Sequence, residues 1–168
     1  AGGQGSSCQG RGGCACVGVG IYEGEKEEVM DVSDYKGYSV LMSVYHKEKP
    51  EYLKQAIASI QAQTLPTDDF VLVCDGPLND ALDVVIAKKQ REMGKTLNVV
   101  RLAKNGGLGN ALNEGIKHCK NELVARMDSD DIAYPDRCEK QIAVFYTHLE
   151  VSICSGIVEE FTSTPDVV

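Results

Sequence analysis

The chain has 168 residues, 43% of them hydrophobic and 25% charged, which suits one globular domain with a core of its own. Its formal net charge of −8 excludes a nucleic-acid partner held through phosphate contacts, because nothing offsets the repulsion. No run approaches the ~18 apolar residues of a membrane span, and nothing at the start reads as a secretory hydrophobic stretch.

Residues 1–37 differ in character from the rest of the chain. The first twenty combine many glycines with Ser, Gln and Cys and carry no hydrophobic period, so they bury too little surface to offset the entropy of ordering. A phosphate-binding loop does not fit, since no strand precedes the glycines and no Gly-Lys-Ser/Thr closes them. The stretch reads as a tag remnant, a linker or a non-native leader, poorly ordered, with a short acidic helix expected within 23–34. Of the seven cysteines, Cys8, Cys14 and Cys16 lie here, while Cys74, Cys119, Cys138 and Cys154 fall singly in apolar segments. With no Cys-x-x-Cys pair, neither a zinc site nor a disulfide framework is expected, and a reduced, cytoplasmic setting is the default.

From residue 38 the pattern becomes regular. Ser39-Val40-Leu41-Met42-Ser43-Val44-Tyr45 is a buried strand, and Pro50 then opens a helix whose stripe is Leu53, Ala56, Ile57 and Ile60. A second strand over 69–74 ends at Asp75-Gly76-Pro77, and Leu82, Val85, Ile86 and Met93 mark a helix stopped at Gly94. A third strand over 97–102 leads through Lys104-Asn105-Gly106-Gly107 into a helix expected to carry Leu108, Ala111, Leu112, Gly115, Ile116 and Cys119 on one face. A fourth strand runs into Asp128. After it, Pro135 is expected to open a helix burying Cys138, Ile142, Phe145 and Leu149, and 151–161 reads as a fifth strand.

Strands alternating with helices predict an α/β fold, a Rossmann-like and mostly parallel sheet with helices on both faces. Right-handed crossovers then bring Tyr45, Asp75 and Asp128 to one sheet edge, where ligands of such folds bind. In Arg126-Met127-Asp128-Ser129-Asp130-Asp131, three carboxylates crowd a strand end, which is costly unless a cation is shared. All-oxygen donors match Mg²⁺ or Mn²⁺, whereas the plainer alternative is a turn built from residues that favour turns.

These segments together resemble the family 2 glycosyltransferases, inverting enzymes of GT-A fold that use nucleotide-sugars. The resemblance rests on the opening strand, on Ser59-Ile60-Gln61-Ala62-Gln63-Thr64 and on Phe70-Val71-Leu72-Val73-Cys74-Asp75-Gly76. It rests equally on 105–115, close to Asn-x-Gly-x-x-x-Ala-x-Asn-x-Gly, and on Asp128-Ser129-Asp130 followed by Pro135-Asp136-Arg137, matching the Asp-x-Asp signature. It implies that Ser43 and Tyr45 line a nucleobase pocket and that Asp75 accepts from the base. It further implies that Asp128 meets the ribose or the metal's waters, that Asp130 ligates the metal, and that Lys104 and Arg126 partner phosphates or the acidic corner. Each has a bland counterpart: a strand-end aromatic, a turn aspartate, a solvated lysine, an arginine paired with its own acidic neighbours. The glycines at 106, 107 and 109 are assigned to packing, and His46, His118 and His148 to solvent.

The implied donor is a nucleoside-diphosphate sugar, UDP-linked, and the implied acceptor a glycan or a lipid-linked hydroxyl in bacterial polysaccharide or envelope synthesis. Peripheral contact with the inner membrane face and homo-oligomers are compatible with this. In the resembled family the catalytic base lies well past Asp-x-Asp; it is therefore expected beyond Val168, with the sheet truncated on that side and nucleotide binding without robust transfer. The rivals are a sugar nucleotidyltransferase, which would want glycines after the first strand, and a non-catalytic α/β interaction module.

Overall fold

The computed structural model describes residues 15–18 and 37–161. In chain order the elements are β1 (Ala15–Gly18), β2 (Tyr38–Val44), α1 (Pro50–Gln61), β3 (Asp69–Cys74), α2 (Asp80–Met93) and β4 (Leu97–Arg101). They continue with α3 (Leu108–Gly115), β5 (Leu123–Asp128), β6 (Ile132–Ala133), α4 (Arg137–Thr147) and β7 (Ile157–Glu160). Four strands form one parallel sheet in the order β4-β3-β2-β5.

Both faces of that sheet are covered, which is why its inner strands read as continuous apolar runs. Val40, Met42 and Val44 of β2 turn to one face, where Phe70, Leu72 and Cys74 join Leu53, Ile57 and Ile60 of α1, Leu82 and Ile86 of α2, and Cys138 and Ile142 of α4. Leu41, Val71 and Val73 turn to the other and meet Ala111 of α3. Each fully buried aliphatic of this kind contributes roughly 1.5–3 kcal/mol. Helix α3 lies so close to the sheet that a Cβ on Gly115 would come within 2.4 Å of Leu41 Cδ1 and 2.6 Å of Val73 Cγ2. Burial pushes the Cys74 thiol up to about 11, with nearby Arg101 opposing and Asp83 adding, so it stays a protonated core group at neutral pH.

At the amino-terminal edge of the sheet a polar cluster fastens three segments. Ser39 Oγ donates to Asp69 Oδ2 at 2.6 Å, the Lys120 backbone N–H donates to the same oxygen at 2.8 Å, and Asn121 N–H donates to Ser39 Oγ at 3.1 Å. Lys120 Nζ stands 3.3 Å from Oδ1 of this fully buried carboxylate. Burial alone would raise the Asp69 pKa; the bonds from Ser39 and Lys120 and the Lys120 charge outweigh it and hold it below its ordinary value.

The later elements depart from expectation. Helix α3 stops at Gly115, where a 3-10 turn over Ile116–His118 takes over, and Ile116 is 55% exposed although it fits the helical period. Helix α4 begins at Arg137 after Asp136 at its cap, not at Pro135. Phe145 is half-buried, and Leu149, beyond the helix end, is 87% exposed. The expected fifth strand shrinks to β7, which lies outside the parallel sheet in a three-stranded sheet of order β6-β1-β7. There β1, inside the stretch expected as a leader, runs antiparallel to β7 and parallel to β6. Backbone pairing along strand edges needs no apolar period, so composition gave no sign of it. The acidic helix expected within 23–34 lies outside the described residues. Among the described residues no helix is long and apolar enough to cross a membrane.

Candidate active site

The chain runs outward from β2 to β3 and β4, then crosses back to place β5 on the other side of β2. Strand order therefore reverses between β2 and β5, and a crevice is expected at their carboxyl ends. Ser43 of β2 stands in register with Asp128 of β5, so both sit at that switch point. Asp75 sits one strand over, its backbone N–H donating to Val44 O at 2.8 Å. The three strand ends picked out by sequence do lie side by side.

Tyr45 follows β2 directly and is 43% exposed, its ring edge-on to that of His46 with centroids 5.7 Å apart. His46 is itself exposed in this loop, as expected for a solvent-facing histidine. Asp75 is only 4% exposed. Its Oδ1 accepts from Gly106 N–H at 2.8 Å and its Oδ2 from Gly107 N–H at 2.9 Å, while Asn105 Nδ2 donates to the Asp75 carbonyl at 3.2 Å. Asp75, expected to accept from a base, uses both carboxylate oxygens to clamp the glycine-rich loop ahead of α3. Gly107 serves that loop with φ +85°, the left-handed region, where it precedes Leu108 at the helix start.

Gly76 is required for the clamp. Its φ is +84°, and a Cβ there would fall 2.5 Å from the Asn105 backbone nitrogen. Gly76→Ala is expected to push residues 104–107 away and to raise hydrogen exchange at the Gly106 and Gly107 amides by about tenfold or more, since the strain alone is worth roughly 1–2 kcal/mol. Exchange rates equal to wild type at both amides would contradict the clamp.

On the other wall, Arg126 pairs its Nη2 with Asp128 Oδ1, the bland alternative raised for this arginine. Both side chains are partly solvent-facing, so the pair is soft and can rearrange. Asp130 is exposed and forms no ion pair among the described residues; Lys104 is likewise exposed and unpaired with any carboxylate there. Asp128 and Asp130 therefore offer hard oxygen donors on an accessible lip, and among the described residues no group of three or more His, Cys, Asp or Glu converges. Few protein carboxylates with room for water and phosphate oxygens fit Mg²⁺ or Mn²⁺ and do not fit a closed zinc site.

Two contacts had no signal in the sequence beyond ordinary polar loop residues. Ser129 Oγ donates to Glu48 Oε2 at 2.9 Å, and Asn79 Nδ2 donates to His46 O at 3.0 Å. The loop that carries Tyr45 is held from both sides.

A parallel sheet whose strand order reverses between β2 and β5 defines a doubly wound α/β fold. The family model for Glycosyl transferase family 2 matches residues 39–166, and the chain belongs to that family. Among its relatives is the amylovoran biosynthesis glycosyltransferase AmsE of Erwinia amylovora, 47% identical over 124 residues, covering 74% of this chain and 46% of the relative. Another is the UDP-Gal:alpha-D-GlcNAc-diphosphoundecaprenol beta-1,3-galactosyltransferase of Escherichia coli, 37% identical over 132 residues, 79% of this chain and 47% of the relative. The chain spans about half the length of these relatives. Among solved structures, S. aureus TarS 1-349 in complex with UDP-GlcNAc is 28% identical with a TM-score of 0.58, over 68% of this chain and 32% of that one. The mannosyltransferase PcManGT of Pyrobaculum calidifontis, in complex with GDP-Man and Mn²⁺, shares the fold at a TM-score of 0.58 and 20% identity, over 76% of this chain and 36% of that one. The fold is the GT-A type expected from the sequence.

Proposed function

We propose that this chain is the donor-binding part of an inverting glycosyltransferase that moves a sugar from a UDP-sugar to an acceptor hydroxyl in bacterial polysaccharide or envelope glycan synthesis. The observation that carries the reading is the switch-point edge where Ser43 and Asp128 stand in register, with the loop clamped by Asp75 on one side and an accessible acidic lip on the other. The names of the Escherichia coli relative and of the TarS complex support UDP as the nucleotide, and the former supports a lipid-linked acceptor.

Ser43 and Tyr45 line the base pocket, Tyr45 lending a ring face for stacking. Asp75 fixes the 104–107 loop beside that pocket, and any base N–H it accepts shares its oxygens with Gly106 and Gly107. Lys104 and Arg126 supply positive charge for the diphosphate. Asp128 and Asp130 would hold Mg²⁺ or Mn²⁺, which when bound stabilises negative charge growing on the leaving diphosphate. Transfer itself is one displacement: the acceptor oxygen bonds to the anomeric carbon as the bond to the diphosphate oxygen breaks, and the acceptor's proton passes to a base.

Titration calorimetry of the chain with UDP, with and without Mn²⁺, tests the reading. Metal-dependent UDP binding is the expected result. Failure to bind any nucleotide, with or without metal, would instead favour an α/β module for protein contacts.

A further inference from the structure

We propose that Glu48 is a positioning residue: it locks the loop carrying Tyr45 to the Asp128–Asp130 corner, fixing the span between the base platform and the diphosphate end of the crevice. The inference rests on the donor-binding reading above and adds to it a residue outside the segments that carried the resemblance in the sequence.

Every hydrogen-bonding group of Glu48 that can serve this purpose does so. Its Oε2 accepts from Ser129 Oγ at 2.9 Å, its Oε1 accepts from the Lys49 N–H at 2.8 Å, and its own N–H donates to Tyr45 O at 3.1 Å. Ser129, the middle residue of Asp-Ser-Asp, is 6% exposed, so its hydroxyl depends on this partner. Glu48 and Ser129 are 81 residues apart in sequence and face each other across the switch point. On the far side of the same loop, Asn79 Nδ2 holds His46 O while Asn79 Oδ1 accepts from Leu82 N–H at 3.0 Å to cap α2. The loop is thus anchored to the start of α2 at one point and to the acidic corner at the other.

A ligand with a planar base at one end and a charged diphosphate at the other is gripped best when both grips sit at a fixed separation. Glu48 sets that separation. The bond joins two loops and supports no strand or helix pairing, so its loss should change ligand grip far more than it changes melting. With both oxygens engaged inside the protein, Glu48 is also poorly placed to take a proton from an acceptor.

The test is UDP titration in the presence of Mn²⁺ on wild type, Glu48→Ala, Glu48→Gln, Ser129→Ala and the Glu48→Ala/Ser129→Ala double variant. Glu48→Ala and Ser129→Ala are each expected to raise the dissociation constant about tenfold, and the double variant no further than either alone, as for two ends of one bond. Glu48→Gln is expected to stay near wild type: its Oε1 accepts from Lys49 N–H and its Nε2 donates to the Ser129 hydroxyl. In a Tyr45→Ala background the Glu48→Ala effect should shrink, because the platform it positions is gone; a purely structural role would leave it unchanged. Ser129→Ala removes a single oxygen and carries the test if Glu48→Ala does not fold. Wild-type affinity in Ser129→Ala, additive losses in the double variant, or a Glu48→Gln no better than alanine would overturn the inference while leaving the donor-binding reading intact. A wild-type chain that binds no UDP would overturn both.

Discussion

Asp130→Ala is expected to weaken UDP binding in Mn²⁺ by about 100-fold and to leave the weak binding of UDP without metal unchanged, since one hard donor is lost from a small donor set. Asp130 is exposed and has no ion pair among the described residues, so its removal should alter stability by no more than about 0.5 kcal/mol. That combination, large loss of metal-dependent affinity with an unmoved melting temperature, separates a ligand residue from a structural turn aspartate. Asp128→Ala should show a similar loss for a mixed reason, because it also releases Arg126 from its partner. Calorimetry at matched Mn²⁺ checks both variants. An Asp130→Ala chain that binds UDP–Mn²⁺ like wild type would remove the acidic corner from the site.

The second large effect lies at the opposite end of the sheet. Asp69→Ala is expected to destabilise the fold by about 3 kcal/mol, because it strands the Ser39 hydroxyl and the Lys120 amide in a buried position. A drop of about 10 °C in melting temperature corresponds to that figure for a domain of this size. The linkage has a definite sign. With its folded pKa lowered, Asp69 contributes fully above its ordinary value of 3.8 and loses that contribution as pH falls through the lower folded value. Stability curves of wild type and Asp69→Ala should therefore run apart at neutral pH and converge in strong acid. Curves that stay parallel throughout would show that the carboxylate charge is irrelevant there. UDP affinity of the variant, measured well below its melting point, should match wild type.

The parallel sheet was legible because β2 and β3 are apolar on both faces, and nothing but a doubly covered strand demands that. Strand ends could then be located, and with them Ser43, Tyr45, Asp75 and Asp128. Periodicity misled where apolar residues face solvent. Ile116, Ile153, Ile157 and Val158 look like core residues in sequence and are exposed in the structure. Hydrogen bonds between distant loops were invisible for a different reason. The partners of Asp75 lie 31 and 32 residues away and are backbone amides, which carry no residue-type signature at all. Glu48 and Ser129 are common polar residues in loops, and only the fold brings them together.

The Arg126–Asp128 pair has a practical corollary. The carboxylate that would otherwise press hardest for a counter-charge already has one supplied by the chain, and its neighbour at 130 is bathed by solvent. On the proposed metal-binding reading, the scaffold is expected to stay folded in a chelator and to accept one divalent ion at a time. Ion preference can be ranked on a single preparation, free of the unfolding that complicates such work in zinc-dependent domains.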